Sequence, residues 1–350
     1  MKNKKVLIIA AVAVVLVVAV VLGVVLLTGN KPVEEVPQKE YKLGMGVKFG
    51  DLTKDQINAT VATVVLDEAG TIVACRIDTV QNKYKVEEEA EEVTFTNLKT
   101  KMELGYDYNM AAFGHSLVGN ATVKEWFEQA KAFEAWVVGK NVNDVRNMKT
   151  QRMENGYIIA DEKDLLDAGC TISIEEFRDA VVKACKDSQA TTFKTADTFT
   201  LGIAVNNAND GSTVAEEGGY TIKMNIEFAA AVVANGKVLA TLNDALQPQV
   251  VVNANGEVKS RSVGKGEGIL QSKRELKENY GMEAAKVDKN GDGKSYEWYK
   301  QSAIYSNYVL GKTATEIAGL ELGTDLQTAG CTIYIGGINA VVAKAATNAR

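Results

Sequence analysis

The sequence predicts an α+β protein: two tandem copies of one αβ domain, each a β-hairpin or sheet with packed helices, behind an N-terminal transmembrane helix. Three observations predict this. The chain opens on an uncharged run; two hairpin patterns are each followed by helical periodicity; and the second half repeats the first at a fixed spacing. Lys273, Glu275, Leu276, Tyr280 and Met282 answer to Lys101, Glu103, Leu104, Tyr108 and Met110, each 172 residues later. At 350 residues the chain has room for two domains and an anchor.

Val6 to Leu27 is 22 residues long without a charge, enough to span a bilayer as a helix. Lys2, Lys4 and Lys5 before it keep residues 1–5 in the cytoplasm by the positive-inside rule. The run is longer than the apolar core of a cleaved signal peptide and ends in Leu26-Leu27-Thr28-Gly29-Asn30, without a small-x-small exit. An uncleaved signal anchor over 6–27 is expected, with a single-pass protein whose ectodomain is extracellular. Residues 28–42, with Pro32 and Pro37, form a stalk.

The first unit is expected over 43–187. Val61–Leu66 and Thr71–Ile77, joined at Asp67-Glu68-Ala69-Gly70, form a hairpin. Trp126, Ala130, Phe133 and Val137 share one helical face; Gly139 ends that helix, and Asn141 with Asp144 opens a shorter one. A polar linker is expected over 188–200 and the second unit over 201–347. Its hairpin runs Ile226–Val233, Asn235-Gly236, Lys237–Leu242. Glu297-Trp298 and Gln301 repeat Glu125-Trp126 and Gln129 at the same 172-residue spacing.

The stretch most faithfully repeated is Ala168-Gly169-Cys170-Thr171-Ile172, which returns as Ala329-Gly330-Cys331-Thr332-Ile333, 161 residues later. The change of spacing places an insertion of about 11 residues near Lys149 to Glu162. Each copy precedes an amphipathic helix, marked by Phe177, Val181 and Ala184 or by Ile338, Val342 and Ala345. Ser173 and Glu176 fit the capping box that opens such a helix. Two meanings are open for the threonine: a cap at a strand-to-helix turn, or a hydroxyl placed where helix N–H groups favour a phosphate.

Composition narrows the function. Lys and Arg total 39 against 45 Asp and Glu, for a net charge of −6, and a nucleic-acid partner is not expected. The single histidine, His115, excludes His-rich metal sites and argues against a Ser-His-Asp triad. Asp288, Asn290 and Asp292 match the opening of a calcium loop, but its twelfth position is Tyr299 and an Asn/Asp/Gly turn explains the sequence equally. Cys75 and Cys185 have no cysteine counterpart in the second half, which fits either a disulfide between them or two separate thiols.

The order of hairpin, T-x-x-E-L-G-like loop, helix and G-x-T before a final helix resembles the extracytoplasmic FMN-binding domain. Both units carry the resemblance, each through a handful of positions. Where that family has Ser-Gly-Ala-Thr, this chain has Ala in place of Ser and Cys170 or Cys331 in place of Ala. Asp164 and Asp325 lie seven residues before the threonines, one further than usual. The resemblance implies FMN, one or two, esterified through phosphate to Thr171 and Thr332 by a flavin transferase, or held without a covalent bond. Gly169 and Gly330 would admit the ligand, Lys101 and Lys273 would offset phosphate charge, and Tyr108 and Tyr280 would flank the ring. Trp126 and Trp298 are expected in the core. Single occupancy is expected at Thr171, since the helix after Thr332 begins Gly336-Gly337. The implied role is an electron carrier between a membrane donor and an external acceptor or reductase. The alternative is a flavin-free cell-surface binding or structural module.

Overall fold

The computed structural model describes residues 37–86, 92–113, 123–215, 218–263, 270–283 and 296–350. The class is mixed α+β. The anchor over 6–27, the start of the stalk, and Asp288, Asn290 and Asp292 lie outside the described residues. Among the described residues no helix is long and apolar enough to cross a membrane.

Two antiparallel sheets form the centre. The first has the order β4-β3-β2-β1-β7, from β1 (Lys39–Leu52), β2 (Gln56–Asp67), β3 (Ile72–Lys85), β4 (Thr94–Asn97) and β7 (Thr191–Thr195). In the second, β10 (Tyr220–Ala234) is central. Along one side run β8 (Thr200–Asn209) and β9 (Thr213–Val214); along the other run β11 (Lys237–Leu246) and β12 (Pro248–Val252), with β13 (Val258–Val263) beyond. Pro248 has no N–H to give a ladder, and it marks the break between β11 and β12.

Both predicted hairpins are present, as β2–β3 and β10–β11, and two expected boundaries move. Residues 39–42, assigned to the stalk, are the start of β1, where Tyr41 packs edge-on against Phe199 and stacked on Phe193. The linker over 188–200 contains β7, whose pairing from Lys39↔Thr195 to Leu43↔Thr191 covers the outer edge of β1.

Alternation along the strands sorts side chains into three apolar layers. Ala59, Val61 and Val65 of β2 meet Phe228, Ala230 and Val232 of β10 in a shared core between the two sheets. Ala62, Val64 and Leu66 point the other way, against helices of the first half. Ala229 and Ala231 likewise face helices of the second half. The result is helices, sheet, sheet, helices.

The helices of the first half are α1 (Lys101–Leu104), α2 (Met110–Phe113), α3 (Trp126–Val137), α4 (Val142–Arg146), α5 (Lys163–Asp167) and α6 (Glu175–Cys185). Those of the second are α7 (Lys273–Leu276), α8 (Trp298–Tyr308), α9 (Ala314–Ala318), α10 (Thr324–Thr328) and α11 (Gly336–Thr347). The predicted face of α3 is buried at all four positions, and Asn141 with Asp144 forms the capping box of α4. The insertion is a small hairpin of its own, β5 (Thr150–Arg152) with β6 (Ile158–Ala160). The last helix of each half lies tight on its first strand. A Cβ at Gly44 would run into the carbonyl oxygen of Ala184, and one at Gly202 into that of Ala345.

Ionic ties cross between the halves, two of them reciprocal. Lys183 of α6 bridges Glu275 of α7 at 2.5 Å, and Lys344 of α11 bridges Glu103 of α1 at 2.5 Å. Each lysine also donates to a strand carbonyl of its own half, Val47 or Val205. Glu103 and Glu275 close the capping boxes of α1 and α7 as well. A third tie has no mirror image: Arg274 pairs with Asp187 at 3.0 Å, both side chains under a tenth exposed.

All four cysteines are free thiols. Cys170 belongs to the outer core of the first half and Cys331 to that of the second, with both sheets between them.

Candidate functional site

The Gly-Cys-Thr turn links α5 to α6 in the first half and α10 to α11 in the second. Gly169 (φ 85°) and Gly330 (φ 102°) take a left-handed backbone that a side chain would strain. The next residue tucks inward: Cys170 N–H donates to Leu165 O at 3.1 Å and Cys331 N–H to Leu326 O at 3.0 Å. Burial pushes these thiols up to about 12 and about 11, so both stay protonated and serve as small apolar anchors.

Gln129 and Gln301 hold the threonines. The Gln129 side-chain oxygen accepts the N–H groups of Thr171 (2.8 Å) and Ile172 (3.1 Å), and the Thr171 hydroxyl at 3.4 Å. Gln301 does the same for Thr332 (2.7 Å), Ile333 (3.1 Å) and the Thr332 hydroxyl (3.2 Å). Each amide nitrogen is itself fixed, donating to Lys124 O or Tyr296 O at 2.7 Å. The capping box expected from Ser173 and Glu176 does not form. The first helix begins at Glu175 with no side-chain cap, and Glu176 instead accepts from the Thr60 hydroxyl at 2.7 Å.

Lys101 and Lys273 follow the capping residues Thr100 and Ser272, and each ammonium lies over two rings. Lys101 is 5.1 Å from the Tyr108 ring centre and 5.6 Å from that of Trp126. Lys273 is 5.3 Å from Tyr280 and 5.5 Å from Trp298. Carboxylates already face both lysines: Glu176 and Asp78 at Lys101; Glu227, Asp244 and Asp210 at Lys273. Burial still lowers both, Lys101 to about 8. Their charge is countered from within, so an added phosphate would compete with these carboxylates. The tyrosine hydroxyls reach Gln81 (3.0 Å) and Gln247 (3.2 Å) across the site. Trp126 and Trp298 are buried, as expected.

Beneath the lysines lies a feature the sequence did not reveal. Asp78 and Asp244 are buried carboxyls in β3 and β11. Asp78 accepts from Thr79 N–H (2.7 Å) and Met102 N–H (3.1 Å); Asp244 accepts from Ala245 N–H (2.8 Å) and Arg274 N–H (3.1 Å). Each thereby pins the site loop to the sheet. Burial pushes Asp78 up to about 7 and Asp244 up to about 6, against the lowering pull of these hydrogen bonds. The folded protein thus holds protons that the unfolded chain releases near pH 4, and stability is lost as pH rises from about 4 to about 7, one pKa unit being about 1.4 kcal/mol. Asp78→Asn is expected to gain stability relative to the parent across that window, by a few kcal/mol at most. Urea unfolding at pH 4 to 8 checks this, and parallel curves for the two proteins would contradict it.

A cavity of about 460 Å³ opens among the described residues of the second half. Its walls include Glu227, Gln247, Lys273, Trp298, Thr332 and Ile338, with Asn225, Met282 and Tyr334 around them. Its volume is that of a small-molecule site, and it joins apolar walls to a few convergent polar groups. Thr332 is half-buried on its wall, whereas Thr171 is 2% exposed. Access thus favours Thr332, the reverse of the order expected from the helix starts. Among the described residues no cluster of acidic, cysteine or histidine side chains is arranged to hold a metal ion. No family model, curated protein or solved structure matches the chain.

Proposed function

We propose that this protein is a flavin-binding redox carrier of the cell surface, tethered by the 6–27 anchor and built by tandem duplication of one αβ unit. The duplication is supported by matched contacts that sequence spacing alone did not specify. Gln129 and Gln301, Asp78 and Asp244, and Tyr108 and Tyr280 each make the same hydrogen bonds in their own half. The flavin role rests on one observation above the rest: Thr332 stands on the wall of an aromatic, amide-lined cavity, four residues before the first residue of α11.

Bound there, FMN would supply the redox chemistry, and the protein would hold it and set its surroundings. The residues fit the ring better than the phosphate. Trp298, Met282 and Ile338 offer apolar contact, while Asn225 and Gln247 offer hydrogen bonds. Lys273 meets two carboxylates, Glu227 and Asp210, on the same walls, which leaves the phosphate at the mouth, near the Thr332 hydroxyl. A flavin transferase would make the ester, a membrane component would donate electrons, and an external acceptor or reductase would take them. The internal pairing of both lysines and the burial of Thr171 favour a second reading, a flavin-free surface module on the same fold.

Intact-mass measurement after co-expression with a flavin transferase separates the two. A covalent flavin nucleotide is expected, and Thr332→Val should remove it with a stability loss of about 1 kcal/mol, that of the lost hydrogen bond to Gln301. A colourless protein that gains no mass and binds no added FMN would leave the surface-module reading.

A further inference from the structure

The two sites have the same plan but are not equally filled. With the buried aspartates as reference points, Thr79 corresponds to Ala245, since each directly follows its aspartate. Thr60 corresponds to Glu227, each pairing across the strands with that following residue. The spacing of the Gly-Cys-Thr copies pairs Glu176 with Gly337 and Phe177 with Ile338.

In the first site these side chains bond to one another. The hydroxyls of Thr60 and Thr79 lie 2.8 Å apart, Thr60 reaches Glu176 at 2.7 Å, and the Glu176 carboxylate lies against Gly50. Phe177 packs edge-on against Trp126, 5.5 Å between ring centres. In the second site three of the four positions carry smaller residues. Only Glu227 is larger, and its carboxylate sits over Gly337, where a side chain would collide with it. The space released is continuous with the cavity beside Trp298 and Thr332.

We propose that ligand binding is one-sided. The site at Thr332 admits the flat, neutral, hydrogen-bonding part of a ligand, a heteroaromatic ring, while the site at Thr171 is filled by its own side chains. The identification of the ring as flavin rests on the function proposed above; the one-sidedness does not. A neutral ring follows from the charges: one ammonium, Lys273, faces Glu227 and Asp210 on the cavity walls and Asp244 beneath, so the cavity gives an anion no net attraction.

Two measurements test this. The first needs no flavin. Thr332→Cys and Thr171→Cys are made in a Cys185→Ser background, which leaves the three buried native thiols as background, and alkylation by neutral iodoacetamide is followed by intact mass. Thr332→Cys is expected to react at least about tenfold faster, as access to the thiol dictates. Equal rates, or a faster Thr171→Cys, would overturn the inference. The second is titration of the protein with riboflavin, which carries the ring without the phosphate. One equivalent is expected, and the Ala245→Thr/Ile338→Phe pair should weaken it at least about tenfold, since overpacking closes the cavity. The reciprocal Thr79→Ala/Phe177→Ile pair should add a second equivalent, with melting curves confirming that both variants fold. Two equivalents in the parent would overturn the one-sidedness and keep the flavin. No binding of riboflavin or FMN, with the alkylation difference intact, would remove flavin and keep the one-sidedness.

Discussion

Arg274→Met is expected to destabilise the protein by about 3–5 kcal/mol, because it leaves a buried carboxylate without its cation. Arg274 and Asp187 are 6% and 8% exposed, and the Arg274 guanidinium also donates to Gln189 O at 2.9 Å. Asp187 would keep the N–H groups of Met45 (3.1 Å) and Gln189 (2.9 Å), which are too few to stand in for the guanidinium. The other half shows the remedy. The repeat spacings put Met102 where Arg274 is and Asn348 where Asp187 is. The double variant Arg274→Met/Asp187→Asn copies that arrangement and is expected to recover most of the loss, since replacing both partners of a buried pair is often near neutral. Urea unfolding of the parent, both single variants and the double variant closes the cycle. A double variant as unstable as the sum of the singles would show that the pair holds the halves together for another reason.

The second large effect is expected at Gln301. Its side-chain oxygen accepts two backbone N–H groups of the Thr332 turn, and its nitrogen donates to Tyr296 O and meets the Met282 sulfur at 3.4 Å. Gln301→Leu fills the volume but strands two donors and an acceptor beside the cavity. At about 1–3 kcal/mol for each unpaired buried group, with water from the cavity relieving part, a loss of roughly 2–4 kcal/mol is expected. The turn should also loosen, and under the function proposed above flavin attachment at Thr332 should fall together with stability. Gln301→Glu keeps the acceptor and is expected to retain more of both. Thermal melting and intact mass on the same samples check this; a Gln301→Leu protein as stable and as fully modified as the parent would contradict it.

Much of the architecture was legible because it follows local periodicity. The β2–β3 and β10–β11 hairpins, the buried face of α3 and the capped start of α4 all lie where the residue pattern put them. The repeat spacing located the loop, the helix and the Gly-Cys-Thr turn in both halves. β1 was missed although its signal is plain: Tyr41, Leu43, Met45, Val47 and Phe49 alternate over nine residues. Gly44 and Gly46 stand between them, and a Cβ at either would collide with α6. β7 was hidden by its polar composition, since an edge strand needs only one apolar residue, Phe193, facing inward.

The site was legible in its residue types and not in its connections. Gln129 and Gln301 stood out as a repeated pair, but nothing in a sequence says that their partners are backbone N–H groups on a turn far along the chain. Asp78 with Gln81 and Asp244 with Gln247 repeat the same three-residue offset, within β3 and at the end of β11, which was the available sign of buried carboxyls. Sheet-on-sheet packing was out of reach, because the apolar faces of β2 and β10 fit equally well against helices.

The crossed lysine–glutamate bridges have the form of an isologous contact, the kind that joins the two subunits of a symmetric homodimer, made here within one polypeptide. In a true homodimer every substitution appears twice and both sides of the contact must change together. Joining the two sides by a peptide bond removes that constraint. An ion pair can then stand on one side while Met102 and Asn348 hold the corresponding places on the other. One site can open at Ala245 and Ile338 while the matching place stays packed with Thr79 and Phe177, a difference that two identical subunits could not hold.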